Sequence, residues 1–160
     1  MIDWVTARLP CTNTGDICDG KVIKINADDS EIEWTTQTRL SLTGSHDSSI
    51  SIRSLTPQTI EISGNPAKWL QGHNLFGSND LRLLMWVFFN RLIEFYDIGL
   101  NPTIQDLERI KEGRYTVSRV DINETWLLKN RADVMAWIRA AGEKMSMPYR
   151  GCLLYTSPSP

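Results

Sequence analysis

Two histidines and three cysteines are a meagre supply of metal-binding nitrogen and sulfur for a chain of 160 residues. His46 and His73 lie far apart, and Cys11, Cys18 and Cys152 show none of the paired spacings of a zinc site. An odd cysteine count argues against a disulfide framework and for free thiols in a reducing compartment. Basic excess is missing too. Seventeen Lys and Arg against nineteen Asp and Glu give a net charge of -2. Any contact with phosphates must then come from a local patch rather than from overall charge. No apolar run approaches the roughly 18 residues of a membrane helix. Met1-Ile2-Asp3 puts no basic segment ahead of an apolar one, so export is not expected.

What is present is a globular composition, 41% hydrophobic and 22% charged, in a length that suits one domain with a real core. Six tryptophans are many for this length. Most suit a core or an interface; one or two suit a platform on which nucleobases stack.

The first half reads as antiparallel sheet. Residues 2–9 form a strand stopped by Pro10. Residues 21–25 and 31–34 form a hairpin across Ala27-Asp28-Asp29-Ser30, and 38–43 form a further strand. Ser49 to Arg53 alternates, Thr56-Pro57 turns the chain, and Thr59 to Ser63 pairs back. The second half changes period. Leu81, Leu84, Met85, Phe88, Leu92, Phe95 and Tyr96 make one apolar stripe of a helix capped by Ser78 and ended by Gly99. Thr103 caps a short helix, with Asp106 in the capping-box position. Residues 115–124 return to strand, and Asn130 caps a helix over 131–141. Strands and helices segregated in this way predict an α+β fold: an antiparallel sheet with helices packed on one face, a two-layer sandwich.

Side chains alternate across a strand, so Glu61 points away from Ile60 and Ile62, and Asp121 and Arg119 point away from Val120 and Ile122. Arg53 likewise opposes Ile50 and Ile52. A shared sheet would hold these carboxylates and arginines on its uncovered face, which suits a charged polymer.

Three blocks stand out: Ile2-Asp3-Trp4-Val5-Thr6-Ala7-Arg8-Leu9-Pro10; Asn65-Pro66-Ala67-Lys68-Trp69-Leu70-Gln71-Gly72-His73-Asn74-Leu75-Phe76-Gly77; and Ser118-Arg119-Val120-Asp121-Ile122. In that order they resemble the N-terminal domain of the gene II replication protein of filamentous phages and related phage and plasmid replication proteins. The resemblance covers residues 1–148. The tail, 149–160, fits no element and resembles the translated adaptor sequence that ends many metagenomic reading frames, so it is expected to be non-native.

The resemblance implies a rolling-circle initiator that nicks one strand at the phage origin and rejoins it. It implies host helicase and polymerase as partners, and the cytoplasm of an infected bacterium as the setting. Nicking of this kind calls for a divalent ion, Mg2+ or Mn2+, held largely by oxygen. Glu61 and Asp121 are the candidate carboxylate ligands and His73 the candidate nitrogen. Arg53 and Arg119 are the candidate phosphate clamps. Lys68, Trp69, Gln71, His73, Asn74 and Phe76 are further candidate DNA contacts, with Trp69 and Phe76 equally suited to plug the end of the sheet as core. The histidine-hydrophobic-histidine metal motif typical of rolling-circle nickases is missing here.

Their nucleophile is a tyrosine that forms a covalent phosphotyrosine. Tyr96, Tyr115, Tyr149 and Tyr155 are the tyrosines present, and none sits in a nucleophile motif. The catalytic residue is left unassigned and is expected beyond this fragment. Two other readings stand beside the nickase: an origin-DNA-binding module without chemistry, and a structural domain whose open face binds protein. The alternative role for Glu61 and Asp121 is merely to solvate the open face of the sheet.

Overall fold

A computed structural model describes residues 1–46, 48–73, 75–124 and 126–144. The expected non-native tail, 149–160, lies outside these described residues. The chain divides into two compact units, residues 1–124 and 125–160. The first carries seven strands and three helices: β1 (Ile2–Pro10), β2 (Gly20–Ile25), β3 (Ile32–Thr38), β4 (Leu40–Thr43), β5 (Ser49–Thr56), β6 (Thr59–Gly64), α1 (Pro66–Gln71), α2 (Leu81–Phe95), α3 (Ile104–Lys111) and β7 (Thr116–Ile122). In the second unit, α4 spans Arg131–Lys144. Its first turn is capped by Asn130, whose Oδ1 accepts from the Asp133 N–H at 3.0 Å.

The main sheet is antiparallel, in the order β4-β5-β6-β1-β7, while β2 and β3 pair only with each other. Alternation sorts its side chains cleanly. Val5, Ala7 and Leu9 of β1, Ile50 and Ile52 of β5, and Ile60 and Ile62 of β6 are buried on one side. Leu84, Met85, Phe88, Phe89 and Leu92 of α2 join them, with Ala67 and Trp69 of α1 and Ile110 of α3. Each large side chain so buried contributes about 1.5–3 kcal/mol against exposure. The expected α+β architecture, helices on one face of an antiparallel sheet, is what this unit shows.

Two local expectations are corrected. The helix N-cap is Asp80, not Ser78: its carboxylate accepts from the Leu83 N–H at 3.0 Å, while Ser78 Oγ accepts from the Asp80 N–H. That helix ends at Phe95, before Gly99. A short helix, α1, follows β6 after Asn65. Asn65 caps α1 through the Lys68 N–H at 2.8 Å, Pro66 supplies the preset first turn, and Gly72 closes it at φ 82°. A Cβ on Gly72 would sit 2.1 Å from the His46 ring, so the loop before β5 packs against this cap only because the residue is glycine. The capping box at Thr103 and Asp106 forms as the sequence indicates.

Candidate functional site

The face of the sheet opposite the core is polar, and the register arranges it in rows. Glu61 pairs with Arg8 on one side and Arg53 on the other. Ser41, Ser51, Ser63, Thr6 and Arg119 follow one another in register across all five strands. Trp4 pairs with Asp121 at the far end of the face.

Glu61 is 6% exposed, and three arginines crowd its carboxylate. Arg39 Nη2 donates to its Oε1 at 2.8 Å, Arg53 Nε donates to the same oxygen at 3.1 Å, and Arg8 Nε stands 3.7 Å from Oε2. Burial pushes the Glu61 carboxyl up, but the hydrogen bonds and charges of Arg39 and Arg53 outweigh it and hold the carboxyl below the usual glutamate range. Arg53 also donates through Nη1 to the Gln37 carbonyl at 3.3 Å, which ties the end of β3 to the same cluster.

The other end is built around Trp4, 36% exposed. Its Nε1 donates to Ser63 Oγ at 3.3 Å, and Ser63 Oγ shares a 2.8 Å hydrogen bond with Thr6 Oγ1. The Arg119 guanidinium carbon lies 5.6 Å from the Trp4 ring centroid. Asp121 grips that guanidinium in turn, with Nε to Oδ1 at 2.9 Å. The hydrogen bond from Arg119 holds the Asp121 carboxyl below its ordinary range.

The sequence-predicted residues are therefore partly brought together. Arg53 and Glu61 meet, and so do Arg119 and Asp121. Glu61 and Asp121 share the bare face, but β1 separates their strands and four ladder positions separate their rows. Their Cα atoms are thus about 16 Å apart by ladder geometry. That span exceeds what two carboxylates can bridge through one ion. His73 lies on the loop after α1, exposed, with its ring edge toward Phe76 at 6.4 Å between centroids. Among the described residues no three His, Cys, Asp or Glu side chains are placed to share an ion. The three expected metal ligands do not converge in this structure.

Lys68 and Gln71 are exposed on α1, with Gln71 Nε2 bonded to the carbonyls of His73 and Phe76. Trp69 sits in the core, 5% exposed. Its Nε1 donates to the Leu42 carbonyl at 3.1 Å and its ring meets Phe88 edge-on at 5.2 Å, so it presents no face to a base. Asn74 lies outside the described residues. Arg8, Arg39 and Trp4 were missed as site residues. The alternation of β1 already places Trp4 and Arg8 opposite Val5, Ala7 and Leu9. Arg39, in the single residue between β3 and β4, carried no such signal.

The family model for the N-terminal region of the phage replication-associated protein, the gene II product, matches residues 1–153. The chain belongs to this family. A curated relative, the replication-associated protein of the same family from Enterobacteria phage I2-2, is 39% identical over 147 residues, covering 88% of this chain and 42% of the relative. This replication-associated chain thus spans less than half the length of that relative. No solved structure matches it. Among the described residues no helix is long and apolar enough to cross a membrane.

Proposed function

We propose that this chain is the N-terminal part of a phage replication initiator that binds origin DNA on the uncovered face of its sheet. Within the full-length protein, that binding would serve to nick and rejoin one strand for rolling-circle replication in the cytoplasm of the bacterial host, with host helicase and polymerase as partners. The observation that carries the reading is the charge of that face. Arg8, Arg39, Arg53 and Arg119 stand against Glu61 and Asp121, a surplus of two positive charges on a chain of net charge -2. Guanidiniums fixed by carboxylates are preorganised for phosphate, because little side-chain freedom is left to lose on binding. Lys68 and Gln71 on α1, with His73 and Asn74 beyond it, are further proposed DNA contacts.

The resemblance implies Mg2+ or Mn2+, and the donors described here do not fit such an ion. Both carboxylates are committed to guanidiniums, which compete with a cation for the same oxygens. A divalent ion would need ligands beyond Glu61 and Asp121 as they are paired here. The tyrosines described do not join the face either. Tyr96 donates its hydroxyl to the Thr43 carbonyl, and Tyr115 donates to the Leu81 carbonyl at 3.5 Å. Burial pushes the Tyr115 phenol above its ordinary range. The nucleophile is therefore not assigned to them, and a non-catalytic origin-binding module is the second reading these pairings favour.

Salt decides between phosphate binding and protein binding on this face. Binding of an origin fragment should weaken steeply with rising salt, and Arg39→Ala or Arg53→Ala should each lower the slope of log K against log salt by about 1. Salt-independent binding, or none, would reject the reading. Plasmid nicking by the full-length protein then separates initiator from passive module.

A further inference from the structure

Trp4 is a large aromatic, 36% exposed, set among the hydroxyls of Thr6 and Ser63 and the charges of Arg119 and Asp121. Neighbours fix its orientation: Ser63 takes the indole N–H, Arg119 stands over the ring, and Asp121 holds Arg119 there. A ring fixed at its edge and paired with a guanidinium plane offers two flat surfaces for a nucleobase at little entropic cost. From Trp4 the stripe of Thr6, Ser63, Ser51 and Ser41 leads across the sheet, and the arginine row of Arg8, Arg53 and Arg39 runs beside it. Phosphates on those arginines and a base on Trp4 can belong to one extended strand. A duplex cannot use this layout, since its bases are stacked on one another and offer no free face to a side chain outside the helix.

We propose that Trp4 is a base-stacking residue for single-stranded DNA, that Asp121 is a positioning residue acting through Arg119, and that the uncovered face selects unpaired over paired origin DNA. The inference rests on the DNA-binding reading above and adds to it the strandedness of the ligand and the residue that reads it.

Fluorescence anisotropy with one labelled origin oligonucleotide, single-stranded and annealed, tests this on the 160-residue chain. Trp4→Ala should weaken single-strand binding about tenfold and leave duplex binding unchanged. Trp4→Phe should recover most of the loss. Trp4→Thr, a β-branched residue suited to the strand, should behave as Trp4→Ala does and guards against a folding defect in one variant. Asp121→Ala should weaken single-strand binding with Trp4 present and add little in the Trp4→Ala background. Binding by the unsubstituted chain that is indifferent to Trp4, or that falls equally for single strand and duplex, overturns the inference while leaving the DNA reading intact. No binding of either form overturns both.

Discussion

Arg119 holds both carboxylate oxygens of Asp121, its neighbour two residues along the same strand, with Nε–Oδ1 at 2.9 Å and Nη2–Oδ2 at 2.5 Å. The pair is open to solvent, so it stabilises the fold little, and its effect is on where the guanidinium lies. Asp121→Ala in the full-length protein is expected to keep the thermal midpoint of the parent and to lose nicking of a supercoiled origin plasmid. Undiminished nicking would remove Asp121 from the machinery. The clamp holds at neutral pH and is released only as pH falls through a carboxyl pKa that Arg119 has lowered.

At Glu61 the balance differs, because three arginines converge on one covered carboxylate. Glu61→Ala leaves them to repel one another and is expected to cost roughly 2 kcal/mol in urea unfolding, in line with hydrogen bonds to charged groups. The folded pKa is depressed. The stabilisation is therefore fully present above the ordinary glutamate range and disappears as pH falls through the folded value. Accordingly, the gap in urea midpoint between the parent and Glu61→Gln should be constant near neutrality and close in acid. A gap independent of pH would show that charge is not what Glu61 contributes.

Cys11 and Cys18 should differ sharply in reactivity. Cys11 is buried in the core; that burial, and then the nearby charge of Asp106, pushes its thiol up to about 12. Cys18 is half-buried. Iodoacetamide at mildly alkaline pH should label Cys18 long before Cys11, because the thiolate is the nucleophile. Peptide mass mapping reads the order directly, and equal rates would contradict the packing around β1.

Trp69 offers a control on the interface. Trp69→Phe removes the indole N–H from the Leu42 carbonyl. It is expected to cost about 1 kcal/mol of stability with no change in the DNA affinity of the folded protein. A selective loss of affinity would return Trp69 to the list of DNA contacts.

Much of this was legible. Alternation in Ile2–Pro10, Ser49–Arg53 and Thr59–Ser63 marks which side chains face the core, and Thr103 with Asp106 announces its helix. The helix over 66–71 carries its own signals as well, in Asn65, Pro66 and Gly72. Strand order was not legible. Nothing local says that β1 lies between β6 and β7, and that insertion is what parts Glu61 from Asp121. Nor could the sequence show that Arg39, 22 residues away, would fill the oxygen a metal was expected to take. Long-range pairing fixes both, and single-strand patterns carry no information about it.

The place of β1 between β6 and β7 also dictates when the sheet can be finished. The first strand made is flanked by the last strand of its unit, Thr116–Ile122. During synthesis β1 keeps one raw hydrogen-bonding edge until those residues leave the ribosome, more than a hundred residues later. The nascent chain is therefore vulnerable to strand-to-strand association until β7 has emerged. Slower elongation lengthens that exposure, and sealing the edge assembles the Trp4–Arg119 pair in the same step.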